Sequence, residues 1–327
     1  MKKNILIVRK KSLGDFFLLY MAIIPFFTYL VGYKNLNYWI DNQTYQNYFF
    51  LAQYNSYIEI IKNGVDPLFI MFMKIFSSFE DGYTYFLIVC AFITLVFKFA
   101  GLKKSTNNFI VLLALYSSYL LCLHDYVQIR IALSMAFVAF GIYSGKSKVI
   151  ISTSFFIAIL MHVTSIIVIL PYLFYTRFGA RWFAIVIISS LFLPMLFFSG
   201  IIKNARLETY IELAKYKEQY ATANIFASQP ILQILGLLYI YISPKLKDNI
   251  KSFEYLFSIL GVLFFYMFIQ VPVLSFRLFE ITMFFYIILL SRVFSSSKII
   301  MIICSLYVLV GIKNMFFGES ALITLGN

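Results

Sequence analysis

The chain has 327 residues, 62% of them hydrophobic, and a formal net charge of +13. A mean hydropathy of +0.87 excludes an ordinary soluble domain, in which about half the residues are apolar. It also removes the nucleic-acid reading of so basic a chain, because membrane proteins gather Lys and Arg in cytoplasmic loops beside anionic headgroups.

The N-terminal MKKNILIVRKK precedes an apolar run at 16–33 that is longer than a signal-peptide core and lacks a small-residue cleavage site. An uncleaved signal anchor is expected. YWIDNQTYQNYF follows, and its Asp41, Tyr45 and Tyr48 recur at spacings of four and three, on one helical face. An interfacial helix anchored by tyrosines would read the same way, although Asp41 is harder to explain so. DPLFIMFMKIFSSF is too short to span and reads as re-entrant or interfacial, with Asp66 as N-cap and Pro67 at the first helical position.

Spans are expected at 83–100 and 109–123, and HDYVQIRIALSMAF opens the next, at 126–143. Asp125 and Gln128 make a plausible capping pair there. Arg130 sits in the first turns, where a cation opposes the helix macrodipole unless an anion is present. Helix N-termini bind phosphate, and Arg adds a two-pronged fork.

Val149 to Tyr175 holds no charged side chain and has His162, one of two histidines, at its centre. As one tilted helix it would leave SPKLKDNIK outside, against the positive-inside rule. Broken into 149–162 and 163–176, it gives two spans of about 22 Å each and moves every basic loop into the cytoplasm. The broken form is expected, with His162 at a corner near the outer face. Such a corner must be buried in protein or line a wet cavity, and ionisable groups at this depth are functional by default. A core histidine bonded to a carbonyl is the plainer alternative.

A span at 182–200 leads into ARLETYIELAKYKEQYATANIFASQ, a charged amphipathic outer loop with Tyr216 and Tyr220 on one face. That face suits a sugar ring, or equally a membrane surface. Spans at 230–243, 253–272, 277–291 and 298–315 bring the expected total to eleven. Arg277 and Glu280, in VPVLSFRLFEITMFF, share a face. They form either an interfacial ion pair or a guanidinium placed for its geometry, since the chain otherwise favours Lys. Cys90, Cys122 and Cys304 read as small core hydrophobes. With no internal repeat and no linker, residues 1–327 read as a single all-α transmembrane catalytic domain with outer loops 34–82 and 201–229.

The sequence has no Gly-rich phosphate loop, no His/Cys cluster and no neighbouring carboxylates suited to a hard cation, so neither metal nor cofactor is expected. Two arginines, one histidine, single carboxylates and aromatics suit an amphiphile with an anionic head, such as a lipid-linked pyrophosphate. Arg130 and Arg277 would meet charge on a departing phosphate, and His162, Asp41 or Glu280 would take a proton from an acceptor hydroxyl.

The order Asp-x-x-x-Tyr-x-x-Tyr, Gln-x-Arg, His-x-Thr-Ser and Arg-x-x-Glu resembles the EpsG/Wzy group of polysaccharide polymerases, from about Tyr38 to Leu290. VQIRIALSMAF and MHVTSIIVILPY are its most specific pieces. The family commonly has Asn-Gln-Ile-Arg-Gln in the first, where Val127 and Ile131 depart from the pattern. Thr164, with Ser165 beside it, stands where a Ser often follows the His by two, and Asp66–Pro67 stands where Glu-Pro precedes the short segment. The resemblance implies a GT-C-like, metal-independent, inverting glycosyltransferase at the outer face of the bacterial cytoplasmic membrane. Both donor and acceptor would be undecaprenyl-pyrophosphate-linked oligosaccharides, and a chain-length regulator is a candidate protein partner. Around the catalytic candidates, Tyr45, Gln128, Thr164, Ser165, Tyr216 and Tyr220 are expected to bind substrate.

Three other readings stay open. A lipid-linked oligosaccharide flippase would show two similar halves. A membrane O-acyltransferase usually carries an Arg a few residues before its His, where Ala158 and Met161 stand here. A ligase would pass the same glycan to another lipid.

Overall fold

The apolar runs of the sequence form helices within residues 19–34, 41–62, 66–192 and 223–317, the parts that the computed structural model describes, although the run at 253–272 leaves its helix after Met267. No strand occurs among the described residues. A π-helical turn, Leu19–Ile23, leads into α1 (Ile24–Gly32), followed by α2 (Asn42–Tyr54), α3 (Tyr57–Lys62) and α4 (Pro67–Phe76). Then come α5 (Gly82–Ser105), α6 (Phe109–Leu115) with a π-helical continuation through Tyr116–Val127, α7 (Ile129–Ser144) and α8 (Lys148–Met161). A short 3-10 turn, Val163–Ser165, opens α9 (Ile166–Phe178), with α10 (Ala180–Ser190) beyond it. The last elements are α11 (Ser228–Ile242), the 3-10 helix Pro244–Lys251, α12 (Phe253–Met267), α13 (Pro272–Val293) and α14 (Lys298–Phe316).

Four of these are long and apolar enough to cross a membrane alone: α5, α6 with its continuation, α13 with its extension to Ser296, and α14. Pro244–Lys251 and α12, bent by 81° to each other, make a fifth if they form one broken span. The apolar helices α1, α4, α7, α8, α9 and α11 are shorter. Helices satisfy their own backbone hydrogen bonds, as a bilayer demands. Large apolar side chains such as Phe92, Ile110 and Leu309 lie on the outside, where lipid accepts them. The protein is embedded in a membrane.

The chain forms two compact units. The first comprises Met1–Gly101 and His124–Val163, the second Leu102–Leu123 and Thr164–Asn327. In the first, α7 and α8 pack as a hairpin, α4 packs on both α2 and α8, and Phe69, Phe72 and Phe76 of α4 gather around Phe86 of α5. Gly101 lets α5 meet α7 at backbone contact, because a Cβ there would lie 2.7 Å from the Ala139 carbonyl oxygen. The Ser144 hydroxyl donates to the Ala100 carbonyl beside it. In the second unit α12 and α13 form the main hairpin, with Phe253, Phe257 and Phe285 interlocked between them. Arg292 closes one end of that unit by binding the Glu254 carboxylate at 2.8 Å and the Ser105 carbonyl.

Two expectations are corrected. HDYV does not open the fourth helix, because the preceding helix runs on to Val127 and breaks only at Gln128. The Asp125–Gln128 capping pair does not form either: Gln128 makes no side-chain cap, and the Asp125 carboxylate is bound to Lys98 from α5, both side chains fully buried. A helix cap is worth about 1 kcal/mol, whereas a lysine charge left buried without a partner costs several, so Lys98 takes the carboxylate. One residue on, the Lys34 ammonium binds the Tyr126 carbonyl and sits over the Tyr126 ring. The helix does end where the sequence suggested at His162, whose backbone is extended (φ −162°, ψ 117°) between α8 and the 3-10 turn. The basic N-terminal stretch, the end of the expected 182–200 span and the outer loop with Tyr216 and Tyr220 lie outside the described residues.

Removing one member of the buried pair strands the other. Lys98→Met is expected to destabilise the folded protein by about 3–5 kcal/mol, while Lys98→Met with Asp125→Leu recovers most of that loss. Thermal unfolding of the purified variants in detergent reads both, and a double variant as unstable as the single one would contradict the charge-balance account.

Candidate functional site

Asp66 heads α4 in a conformation that its sequence does not suggest. Its backbone is left-handed (φ 48°, ψ 61°), the one such non-glycine residue among those described. Asp tolerates this region better than most residues. Proline at the next position, however, drives its predecessor toward extended geometry, so the conformation stores roughly 1–3 kcal/mol of strain. Pro67 begins the helix as expected, but the Asp66 side chain makes no cap. Asp66 holds the N-cap position, its carbonyl accepting from the Phe69 and Ile70 N–H groups, while its carboxylate is used elsewhere.

The carboxylate turns instead to two residues far along the chain. Its Oδ2 accepts from Arg130 Nη1 at 2.7 Å and lies 3.1 Å from His162 Nδ1. The Val163 N–H donates to Oδ1 at 3.4 Å. Arg130 is the second residue of α7 and His162 follows the last residue of α8, so the α7–α8 hairpin brings both to one end. Packing of α4 on α8 delivers Asp66 to the same place. The side chains of Asp66, His162 and Arg130 are only 2%, 6% and 15% exposed. Burial raises the energy of the Asp66 charge, but the hydrogen bonds and positive charge of His162 and Arg130 outweigh it and hold the carboxyl below its usual range. The anion that Arg130 was expected to need is, in this structure, Asp66.

Tyrosines of α2 complete the surroundings of the guanidinium. The Arg130 guanidinium carbon lies 4.8 Å from the centre of the Tyr48 ring and 5.7 Å from that of Tyr45. Nη1 reaches the Tyr48 hydroxyl at 3.5 Å, and the Arg130 backbone N–H donates to the Tyr45 hydroxyl at 3.4 Å. Tyr45 is 2% exposed, which excludes it as a headgroup anchor. Burial pushes its hydroxyl up to about 12, so it stays a neutral O–H at neutral pH. Arg130 Nε is buried and has no hydrogen-bond partner among the described residues. Nε is thus a donor that Asp66 does not engage, shielded from solvent, on a guanidinium that also hydrogen-bonds the Tyr45 hydroxyl.

The other candidates fall in several places. Asp41 precedes α2 and its carbonyl takes the Tyr45 N–H, but its side chain does not cap the helix. Thr164 and Ser165 form the 3-10 turn directly after His162, and the buried Ser165 hydroxyl has no hydrogen-bond partner among the described residues. Arg277 and Glu280 lie on α13, in the second unit, where Glu280 is buried and hydrogen-bonded with Tyr119. No group of three His, Cys, Asp or Glu side chains comes together among the described residues. Sequence reasoning missed Asp66 as a member of the site. The available signal was a carboxylate and a proline before a short apolar segment, which an ordinary helix start imitates.

Searches of curated proteins and of solved structures return no match. The family model for the EpsG family matches residues 17–323, nearly the whole chain, including every described helix and each residue of the Arg130–Asp66–His162 cluster. Membership suggests a polysaccharide-polymerase-like role of glycosyltransferase type. This membrane-embedded, helical chain belongs to the EpsG family.

Proposed function

We propose that the protein joins undecaprenyl-pyrophosphate-linked oligosaccharide repeat units into O-antigen or a related surface polysaccharide, at the outer face of the bacterial inner membrane. The observation that carries the reading is the meeting of Arg130 and His162 at one buried carboxylate, beside two tyrosines, in a membrane-embedded EpsG-family chain. The growing glycan is the donor. The hydroxyl oxygen of a second carrier-linked unit attacks the anomeric carbon, the bond from that carbon to the carrier pyrophosphate breaks, and configuration inverts. The acceptor proton passes to His162, and undecaprenyl pyrophosphate leaves with the bonding pair. Arg130 offers Nε to the charge gained by the departing phosphate, a fixed donor in a site shielded from water. Tyr45 and Tyr48 supply ring faces and hydroxyls for the sugar or phosphate, and Thr164 and Ser165 supply hydroxyls beside the base. Gln128 and Asp41, with Arg277 and Glu280 of the second unit and Tyr216 and Tyr220 of the outer loop, are the further substrate contacts and reserve carboxylates. The whole chain acts as one catalytic domain without a metal, on a GT-C-like scaffold of about eleven spans, and a chain-length regulator is its protein partner.

Within the second unit, one set of contacts supports the two-span reading of the segment around His162. Ser105 ends α5 on the cytoplasmic side in either arrangement. Arg292 binds both its carbonyl and Glu254, which the broken arrangement puts on that same side and a single tilted helix would put opposite.

Three outcomes test the proposal. Cells with His162→Ala should accumulate single repeat units in place of the long-chain ladder of surface polysaccharide, with the variant protein still present in the membrane. A full ladder would remove His162 from the reaction. Arg130→Lys replaces a planar fork with a point charge and is expected to lose about thirtyfold in chain-extension rate, measured with carrier-linked substrate in membrane vesicles. Near-normal rates would reduce Arg130 to a structural charge. Single cysteines replacing Tyr216 and Lys247 in a background without native cysteines should react and fail to react, respectively, with an impermeant thiol reagent applied from outside. The reverse labelling pattern would sink the two-span reading.

A further inference from the structure

His162 has two ring nitrogens, and only one of them faces Asp66. Nδ1 lies 3.1 Å from the carboxylate. An ionised carboxylate can only accept, so a hydrogen bond there requires the proton on Nδ1. In the neutral ring this leaves the lone pair on Nε2. Arg130 at 2.7 Å and the Val163 N–H hold the carboxylate in its charged, accepting form. The left-handed backbone at Asp66, ahead of Pro67, places the carboxylate there at the expense of its own local preference. His162 is itself the extended break between α8 and the 3-10 turn, with its N–H bonded back to the Ala158 carbonyl. The left-handed Asp66 and the helix break at His162 therefore face each other across one hydrogen bond.

We propose that Asp66 is a positioning residue that acts through His162. It fixes the imidazole with Nδ1 protonated, so that Nε2 is the atom that removes the acceptor proton, and it stabilises the imidazolium formed when the proton arrives. Asp66 is not itself the base. This deepens the polymerase reading and rests on it for the identity of the proton donor. The pairing of roles follows the logic of base and orienting carboxylate seen in hydrolytic triads. Asp66 is also distinct from a simple counter-charge for Arg130. A counter-charge would only tune anion binding, whereas an orienting carboxylate governs the step in which the proton moves.

Two measurements test this. The first needs no turnover: nitrogen-15 NMR of histidine-labelled protein in lipid bilayers at neutral pH, with His162→Gln assigning the signal. The expected spectrum has His162 protonated at Nδ1 alone. A proton on Nε2, whether in the other neutral tautomer or in the cation, overturns the proposal. The second is a double-mutant cycle on chain extension in vesicles, using Asp66→Asn because Asn also tolerates a left-handed backbone. Asp66→Asn is expected to lower kcat by at least about a hundredfold with little change in donor KM and normal membrane abundance. In a His162→Gln background it should cost less than about threefold more, since residues acting as a unit are non-additive. Effects that multiply would mean that Asp66 acts independently of the histidine, and a change confined to donor KM would make it a counter-charge only. Wild-type protein that extends no glycan would refute the polymerase reading, while the NMR result would still decide the tautomer.

Discussion

A carboxylate removed from water stays ionised only where donors and positive charge surround it, and that requirement at Asp66 organises the first unit. Arg130 begins α7 and His162 follows α8, so both stand at the open end of that hairpin, and the carboxylate comes from the head of α4. The helix ends themselves favour the arrangement. Asp66 stands at the N-terminus of α4, where the macrodipole is positive and an anion is welcome. Arg130 stands at the N-terminus of α7, where the same effect opposes a cation, and the neighbouring carboxylate offsets that opposition. Each of the two residues is in a position that would be unfavourable without the other: one for its backbone, the other for its charge.

The first unit holds a second ion pair, and comparison of the two separates support from chemistry. The Lys98 and Asp125 side chains are both wholly buried and bind each other. Arg130 is partly exposed and keeps a buried Nε without a partner among the described residues. The closed pair and the open one lie on either side of the break at Gln128. Asp125 is held by Lys98 and the Tyr126 carbonyl by Lys34 just before the break, and the Arg130 N–H meets Tyr45 just after it. A helix junction without a side-chain cap is thus fixed from three directions. The guanidinium therefore projects from a rigid base, as preorganised charge stabilisation requires.

The sequence disclosed what depends on hydropathy and charge, and hid what depends on tertiary partners. The apolar runs, the break at His162 and the isolated cation at Arg130 were all legible, because each departs from the local pattern that a membrane helix would otherwise follow. The spacing of Tyr45 and Tyr48 marked a face but could not say that the face turns toward Arg130 rather than lipid. Asp66 was legible as a helix start, since Asp before Pro is the ordinary signature of one. Only the left-handed backbone and the two remote partners reveal its other use. Lys98 escaped notice because one lysine barely lowers the mean hydropathy of the run around it, and its need for Asp125 displaced a locally sensible cap. In both misreadings a buried charge outweighed a local propensity worth about 1 kcal/mol.

The geometry of the guanidinium bears on how such a site could accelerate glycosyl transfer. Asp66 occupies Nη1, while Nε is the donor that lacks a partner among the described residues. Under the proposed reaction, a phosphate meets Nε once that buried edge is opened while Nη1 keeps the carboxylate, so the contact between Asp66 and His162 survives binding of the donor. A cation already balanced by a carboxylate also holds a resting pyrophosphate less tightly than a bare one would. That moderation is useful, because binding that is equal in ground and transition states does not raise kcat. What matters is the charge that the leaving oxygen gains as the anomeric bond breaks, and a fixed donor that need not reorganise meets that charge when it appears. In the proposed mechanism the same carboxylate would stabilise the positive charge forming on His162 as it takes the acceptor proton. A single buried acidic group would thus link the two charge changes of the proposed reaction, one on the leaving side and one on the attacking side.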